Sequence, residues 1–287
     1  MKDLRGKIAV ITGAGSGIGQ ALAVACAQEG MQLALLDLKD EGLKQTAASL
    51  GPSGSGALLR CCDVTDEHAV EEAAQAVYDR FGAAHLLFNN AGVFTGGPLW
   101  KAPVAEWHWQ FNVNVMGVVH GLRSFIPRML AGGEPAHIVN TASVGGLTSP
   151  PHYSVYSATK HAVVALTECL YHDLRAENAA IGVSVLCPAF VKTAIADAPT
   201  SDQSDAMNSG AAAHREATRK LMEHARLSAD DVARIAIEGV KQDQFYILTH
   251  AASRAGVEWR MQDILNNRAP TNPMRGPSRS AQDAAGS

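Results

Sequence analysis

Short apolar segments alternate with amphipathic segments along most of the chain, and this alternation limits the fold more than any other feature. The first apolar segment, residues 7–13, is rich in Ile and Val and ends in glycine, as expected of a buried parallel strand. Further strands are predicted at residues 32–38, 57–64, 85–88, 136–141, 182–186 and 245–249. The pattern therefore predicts an α/β fold, a doubly wound sheet of seven mostly parallel strands with helices on both faces.

The alternation also predicts the domain organisation. No repeat or linker interrupts residues 1–268, so we expect a single domain. Within it, residues 194–227 are polar and loosely patterned, with a helical piece at 211–224, and we expect them to form a lid over a binding site. A plain surface insertion is the alternative. Residues 269–287 are rich in Pro, Gly, Ser and Ala and are predicted to be a flexible tail.

Composition and charge limit the kinds of partner. The net charge of −4, without a cluster of Lys and Arg, gives no support for nucleic-acid binding. No apolar run reaches the roughly 18 residues of a membrane span, and the polar start lacks a signal sequence, so we expect a cytoplasmic protein away from membranes. The 5 cysteines show no C-x-x-C pattern, which favours reduced thiols, and the 11 histidines lack metal-ligand spacing, so no metal is predicted.

A glycine-rich loop joins the first predicted strand to the first predicted helix. Its pattern is T-G-x-x-x-G-x-G, with Thr12, Gly13, Gly17 and Gly19 at the fixed positions. The N–H groups and dipole of a helix N-terminus attract phosphate, and glycine allows a pyrophosphate to approach the backbone. The loop therefore predicts a nucleotide site on a Rossmann-type sheet.

An acidic residue, Asp37, ends the second predicted strand. In dinucleotide-binding folds, an acid at this place binds the ribose hydroxyls of NAD and repels the 2′-phosphate of NADP. Ala14 and Leu38 are neutral where a basic residue would bind that phosphate, although Lys39 is close enough in sequence to do so. NAD is therefore the expected cofactor, with NADP less favoured, and an ordinary solvated Asp is the alternative.

Other candidates follow the third and fourth predicted strands, because ligands bind at the carboxyl ends of strands in open α/β sheets. Asp63 and Val64 end the third strand, where a carboxylate is placed to hold the adenine amino group. Asn90, Ala91 and Gly92 follow the fourth strand. Their small and amide side chains suit the floor of a cofactor crevice.

A serine, a tyrosine and a lysine occur together in residues 143–160. Ser143 follows the fifth predicted strand, and Tyr156 and Lys160 are four residues apart, on one face of the next predicted helix. An ammonium near a tyrosine favours the phenolate, so we expect Lys160 to lower the pKa of Tyr156 from its usual value of about 10. By itself the Tyr-x-x-x-Lys pattern is common by chance.

Taken together, these motifs resemble the short-chain dehydrogenase/reductase family over roughly residues 5–250. The glycine loop at residues 12–19, the motif at residues 89–92, and Ser143 with residues 156–160 match in order and on the expected elements. The resemblance implies an enzyme that interconverts a secondary alcohol and a ketone by hydride transfer with NAD. It also implies a homodimer or a homotetramer.

The resemblance assigns a role to four residues. Tyr156 is the general acid or base, and Lys160 lowers its pKa and holds the nicotinamide ribose. Ser143 positions the substrate oxygen. Asn114, a better match than Asn112, holds a water in a proton relay.

The resemblance also implies how cofactor and substrate are bound. Pro188, Val191 and Thr193 are expected to orient the nicotinamide carboxamide, although Ala189 replaces the family's usual glycine. The expected cofactor-binding residues are Gly13, Ser16, Gly17, Ile18, Gly19, Asp37, Leu38, Asp63, Val64, Asn90, Ala91, Gly92, Tyr156, Lys160, Pro188, Val191 and Thr193. The expected substrate is a bulky hydrophobic or aromatic alcohol or ketone, held by Ser143, Val144, His152, Tyr153 and Phe190.

Three alternatives stay open. An NADPH-dependent carbonyl reductase on the same fold would differ in its cofactor. A methyltransferase also pairs a glycine loop with an acid, to bind S-adenosylmethionine, but it has no use for Ser143, Tyr156 and Lys160. A non-catalytic nucleotide-sensing protein would be expected to lose part of the tetrad, and all four residues are present.

Overall fold

The computed structural model describes residues 1–193, 195 and 209–277. Its strands are β1 (Ile8–Thr12), β2 (Gln32–Asp37), β3 (Leu58–Cys61), β4 (Leu86–Asn89), β5 (Ala136–Thr141), β6 (Ile181–Cys187), β7 (Val191–Lys192), β8 (Leu227–Ser228) and β9 (Tyr246–Leu248). Its helices are α1 (Gly17–Gln28), α2 (Asp40–Ser49), α3 (Pro52–Ser55), α4 (Glu67–Phe81), α5 (Val104–Phe111), α6 (Gly117–Gly132), α7 (Ser154–Ala176), α8 (Ser209–Glu223), α9 (Ala229–Lys241) and α10 (Ser253–Leu265).

Seven strands form the central sheet in the order β3-β2-β1-β4-β5-β6-β9. Every neighbouring pair in this sheet is parallel. The chain builds outward from β1 to β3 and then returns to place β4 on the other side of β1. This reversal is the switch point at which open α/β sheets bind ligands. The predicted Rossmann-type, doubly wound sheet is confirmed.

Alternate residues of the strands face opposite layers of helices. Ala9 and Ile11 of β1 pack in the core that includes α1 and α9, whereas Ile8 and Val10 pack in the core that includes α4 and α6. All four side chains are at most 4% exposed. Burying a large apolar side chain stabilises a fold by about 1.5–3 kcal/mol, so both faces hold the strands in register and fix where they end.

A small second sheet pairs β7 with β8 in parallel, through Val191 with Leu227 and Lys192 with Ser228. The sequence did not predict it, because two-residue strands show no hydrophobic period. The pairing attaches the end of the 194–227 segment to the turn that follows β6. It therefore fixes both ends of that segment at the carboxyl edge of the main sheet.

The helical segment between β4 and β5 is interrupted. A π-helical stretch at Asn112–Met116 separates α5 from α6. Such stretches insert a residue into an α-helix and are frequent at functional sites. The fully buried Asn114 lies at the centre of this one.

The connector after α2 and the start of the predicted flexible tail both have local structure. The connector at residues 51–56 contains the short helix α3. At the start of the tail, the backbone N–H of Thr271 donates to Asp263 Oδ2 of α10 at 2.7 Å. Residues 278–287 of the tail, and residues 194 and 196–208 of the expected lid, lie outside the described residues.

None of the helices in residues 1–193 and 209–277 combines the length and the hydropathy needed to cross a membrane. Within the same residues, no cluster of three or more His, Cys, Asp and Glu side chains is arranged to hold a metal ion.

Candidate active site

The glycine loop leaves space that side chains would fill. Gly13 has φ +66°, and a Cβ there would lie 2.8 Å from Ala91 Cα. Gly17 has φ +52°, a left-handed conformation that favours glycine. A Cβ at Gly19 would overlap the carbonyl of Gly13. The loop opens directly into α1 with Ser16 at its N-cap position, so the first N–H groups of α1 and this backbone cradle fit a pyrophosphate.

Thr12 ties the glycine loop to the motif after β4. Its Oγ1 accepts hydrogen bonds from the backbone N–H groups of Asn90 at 2.9 Å and Ala91 at 3.0 Å. The Asn90 side chain donates to the Thr12 carbonyl at 3.1 Å and accepts from Thr141 Oγ1 at 3.3 Å. Asn90 therefore joins the ends of β1, β4 and β5. These bonds make it a residue that shapes the crevice floor.

Asp37 faces the glycine loop from the end of β2. Its Oδ2 accepts from the Gly15 N–H at 2.9 Å, and its Oδ1 accepts from the Lys39 N–H at 2.9 Å. A Cβ at Gly15 would lie 2.9 Å from the Asp37 carboxyl carbon, so the loop passes directly beside the acid. Leu38 is 61% exposed. The carboxylate is thus held in place beside the glycine loop.

Asp63 and Val64 follow β3. Asp63 Oδ1 accepts from the backbone N–H of Thr65 at 2.9 Å and from its hydroxyl at 2.8 Å. Val64 is buried, and its carbonyl lies 2.9 Å from His120 Nδ1 of α6. These bonds fix the loop in which both residues lie. Both hydrogen bonds from Thr65 are accepted by the same carboxylate oxygen of Asp63, Oδ1.

Asn114 and Lys160 approach the same point beside Gly92. A Cβ at Gly92 would lie 3.3 Å from Asn114 Oδ1 and 3.5 Å from Lys160 Nζ. The Asn114 amide is fixed by three hydrogen bonds: it accepts from the Val93 N–H at 2.8 Å, and it donates to the Val93 carbonyl at 3.0 Å and to Thr159 Oγ1 at 3.1 Å. The absence of a side chain at Gly92 leaves this point open to both Asn114 and Lys160.

Ser143 and Tyr156 lie on either side of Gly145. A Cβ at Gly145 would be 3.6 Å from both Ser143 Oγ and Tyr156 Cε1. The Ser143 hydroxyl donates to the Pro188 carbonyl at 3.2 Å and accepts from the Gly145 N–H at 3.1 Å. The structure thus brings the four predicted catalytic residues together as two pairs, each pair separated by a glycine.

The pKa values of the tyrosine and the lysine are shifted by burial. Desolvation raises the pKa of Tyr156 to about 12, although the Ser143 hydroxyl opposes the shift. Desolvation lowers the pKa of Lys160 to about 8. The net shift of the Tyr156 pKa is therefore upward, opposite to the expected lowering, because desolvation is its largest cause. The Lys160 ammonium lies 5.7 Å from the centroid of the Tyr156 ring and donates instead to the Thr141 carbonyl at 2.9 Å.

The turn after β6 adjoins both the serine and the glycine loop. The Pro188 carbonyl also accepts from the Val144 N–H at 2.8 Å. Val191 is buried in the core, whereas Thr193 Cβ lies 3.5 Å from where a Cβ at Gly17 would be. Thr193 therefore lies over the glycine loop, while Val191 anchors the turn.

Aromatic rings surround the Tyr156 side chain. The Phe94 ring packs edge-on against Tyr156 at a centroid distance of 5.1 Å, and Tyr153 lies 5.4 Å from Phe94. Phe190 is 6.4 Å from Tyr153. His152, exposed and with φ +68°, has its ring 5.6 Å from that of His214 on α8. The predicted substrate residues Tyr153, Phe190 and His152 are thus neighbours, with Val144 on the Ser143 side.

Sequence reasoning missed several residues of this region. Phe94 follows the motif at residues 89–92 by two positions, and that adjacency was the only available signal. Thr12 was included only as part of a loop pattern. His214 and Thr218 lie on α8, in a segment whose weak pattern gave no reason to place any one side chain near Tyr153.

Comparison with known proteins finds relatives along most of the chain. Residues 7–204 match the family model described as short chain dehydrogenase. A 1-deoxy-11-beta-hydroxypentalenate dehydrogenase of Streptomyces avermitilis is 35% identical, over 93% of each chain. A C alpha-dehydrogenase of a Sphingobium species is 34% identical, over 94% of this chain and 89% of that protein.

A solved structure is similar along nearly the whole chain. It is a short chain dehydrogenase/reductase from Burkholderia phymatum in complex with NAD, with 46% sequence identity and a TM-score of 0.89. The match covers 94% of this chain and 98% of that one.

Proposed function

Since the chain belongs to the short-chain dehydrogenase family and is an oxidoreductase, we propose that it interconverts a secondary alcohol and a ketone with NAD. One observation carries this proposal. Ser143 and Tyr156 flank Gly145, while Asn114 and Lys160 flank Gly92, so all four groups meet at the carboxyl end of the sheet beside the glycine loop. An arrangement of this kind serves proton transfer at an oxygen next to a bound nucleotide.

Tyr156 exchanges the proton of the substrate oxygen. In ketone reduction its phenol donates the proton, and the raised pKa of about 12 keeps it protonated near neutral pH. In alcohol oxidation it must act as phenolate. The oxidised nicotinamide, when bound, supplies the hydride acceptor and a positive charge that lowers the pKa of Tyr156.

Ser143 holds the substrate oxygen. Its hydroxyl is already oriented by the Gly145 N–H and the Pro188 carbonyl, so little reorganisation is needed on binding. Lys160 lies beside Tyr156, and a water held between Lys160 and Asn114 would complete the proposed proton relay. The Lys160 ammonium is also available to the nicotinamide ribose.

NAD is the proposed cofactor because of Asp37. Both oxygens of this carboxylate accept backbone hydrogen bonds, so its negative charge stays fixed at the proposed ribose position. There it would repel a 2′-phosphate. The cradle formed by Gly13, Gly17 and Gly19 fits the pyrophosphate, and the Burkholderia phymatum relative was crystallised with NAD. An NADPH-dependent reductase is the second candidate, since the side chain of Lys39 is exposed beside Asp37.

The proposed substrate is a bulky hydrophobic or aromatic alcohol or ketone. Phe94, Tyr153, Phe190 and His214 form a ring-lined wall next to Tyr156. Aromatic rings favour edge-to-face or offset contact with another ring, which adds about 0.5–1.5 kcal/mol beyond area burial. A relative named for action on hydroxypentalenate is in keeping with a bulky carbon skeleton.

A homodimer or homotetramer is also proposed. Residues 100–116, which run from just before α5 to the π-helical stretch, expose large apolar side chains, with Trp100 82%, Val104 68% and Met116 40% exposed. Burial against a second copy would remove this surface from water. Sedimentation of the purified protein tests it, and a monomer at micromolar concentration would contradict it.

The deciding experiment follows nicotinamide absorbance with a panel of secondary alcohols and ketones of graded size. We expect turnover that is greatest with aryl substrates and tighter binding of NADH than of NADPH. Tighter NADPH binding would contradict the cofactor assignment alone. The absence of hydride transfer with the whole panel, in protein that binds NADH, would instead support a nucleotide-sensing protein.

A further inference from the structure

Helix α8 is held to the rest of the protein through a threonine. Among residues 214–223 of α8, Thr218 is the one side chain that is fully buried. Threonine is a poor residue for the middle of a helix, and an aliphatic side chain would fill such a place with less cost. A hydroxyl at this buried position therefore indicates a specific partner.

The nearer partner is Tyr153, whose hydroxyl lies 3.0 Å from Thr218 Oγ1, while His214 Nε2 of the same helix lies 3.5 Å from it. Tyr153 is buried and occupies the N-cap position of α7, three residues before Tyr156. Its backbone is fixed, since its carbonyl accepts from the Ser157 N–H at 2.7 Å and the preceding His152 carbonyl accepts from the Gly97 N–H at 2.7 Å. The tyrosine thus presents its hydroxyl to α8 from a rigid support.

The same contact places a second α8 residue near the reacting groups. His214 lies one turn before Thr218, and its ring packs edge-on against Tyr153 at 4.7 Å. Its ring is also 6.4 Å from that of Phe94, which touches Tyr156. A Cβ at Gly96 would overlap the imidazole, so the glycine allows this approach. Burial lowers the pKa of His214, which keeps the ring neutral at pH 7 and able to pack against apolar groups.

The position of α8 over Tyr156 therefore depends on one hydroxyl pair more than on general apolar burial. If the pair is broken, α8 keeps its chain connection through β8 but loses the contact that sets its distance from the ring-lined wall. A bulky substrate reaches the part of that wall to which α8 contributes His214. A small substrate does not reach it and so does not sense the change.

We propose that Tyr153 and Thr218 are positioning residues that fix α8 over the active site. Through this position they determine selectivity for bulky substrates. His214 is the α8 residue that lies beside such a substrate. The selectivity part rests on the proposed alcohol–ketone chemistry. The docking of α8 does not, and it can be measured separately.

The test is a double-mutant cycle with Tyr153→Phe, Thr218→Val and the double variant, with Thr218→Ser as the matched control that keeps the hydroxyl. With a bulky aryl alcohol, we expect each single variant to raise KM about fivefold to tenfold, as for one lost neutral hydrogen bond. We expect the double variant to equal the single variants within about twofold, because the pair is lost only once. For Thr218→Val, we expect the KM for 2-propanol and the Kd of NADH to change by no more than about twofold.

Two outcomes would overturn the proposal. One is a double variant whose KM increase is the product of the two single increases. The other is an equal effect on the aryl alcohol and 2-propanol, which would mean a general loss of structure.

Amide hydrogen exchange of the α8 peptide tests the docking without turnover. We expect Thr218→Val to speed exchange about fivefold to tenfold relative to Thr218→Ser, at equal thermal stability. Equal exchange in the two variants would contradict the docking role. If the wild-type protein turns over no alcohol or ketone but the exchange difference appears, the proposed reaction fails and the docking stands.

Discussion

Lys160 Nζ donates a hydrogen bond to the Thr141 carbonyl at 2.9 Å, and this bond holds the buried ammonium. Thr141 is the last residue of β5, and Ser143 follows it by two positions. One strand end therefore positions the serine directly and the lysine through its carbonyl. The lysine is oriented before any cofactor or substrate binds, although burial of its charge carries a desolvation free energy.

The first prediction concerns Lys160→Met and stability against pH. The pKa of Lys160 falls from 10.5 unfolded to about 8 folded, so between these values the unfolded chain binds more protons. Wild-type stability should therefore rise relative to the variant between about pH 8 and 10.5, by up to about 3 kcal/mol. Urea unfolding of both proteins at pH 7, 9 and 10.5 measures this difference. Other groups titrate equally in both proteins. If the free energy of unfolding changed with pH in the same way for both, Lys160 would have an ordinary pKa.

The second prediction concerns Tyr156→Phe. Removing the hydroxyl should lower kcat about a thousandfold, within the usual range for a general acid–base group, and leave the Kd of NADH within about twofold. Tyr246→Phe is the matched control, since its exposed hydroxyl bonds Glu168 at 2.6 Å, away from the tetrad. Steady-state kinetics and NADH fluorescence provide the two measurements. Activity of Tyr156→Phe comparable with that of the control would rule out the proposed role.

The third prediction concerns cofactor choice. Asp37→Asn removes the charge that faces the ribose position, so NADPH should bind about tenfold tighter and NADH should bind more weakly. Asp40→Asn removes an equal charge three residues away, where the carboxylate pairs with Lys44 at 2.6 Å on the surface. Titration of both variants with both cofactors separates a local effect from a change in net charge. The same response in the two variants would remove the argument for NAD.

The fourth prediction concerns Gly92→Ala. The new methyl group would lie 3.3 Å from Asn114 Oδ1 and 3.5 Å from Lys160 Nζ, in the place proposed for the relay water. We expect kcat to fall about tenfold or more, which is less than the full contribution of a general acid–base group. We expect the thermal stability to stay nearly unchanged. Gly132→Ala is the control, because no atom lies within 4 Å of its added Cβ. Full activity of Gly92→Ala would argue against a water between the two side chains.

The sheet and the nucleotide loop could be predicted because their signals are local. A buried β-branched run, a glycine loop and a helix start are each visible within a dozen residues, and the motif at residues 12–19 lies where its pattern placed it. Asp37 was found in the same way, as the acid at the end of β2. Such signals need no knowledge of the rest of the chain.

The direction of the Tyr156 pKa shift could not be predicted in this way. The sequence places Lys160 four residues after Tyr156, but it does not show that the ammonium turns to Thr141, nor how dry the site is. The docking of Thr218 on Tyr153 joins residues 65 positions apart. Its only sequence sign is one threonine in a weakly patterned helix, so tertiary contact decides it.

The π-helical stretch at Asn112–Met116 also bears on how this protein can change over time. It is one residue longer than the α-helical path between the same ends, and the extra residue sets which way Asn114 points. Deleting a single residue there would restore a regular helix and rotate the asparagine by about 100°, the angle between successive residues of an α-helix. Surface loops tolerate changes of length, but the length of this stretch is fixed. In any engineered or naturally diverged version of the chain, an insertion or deletion in this stretch should remove activity before it removes the fold.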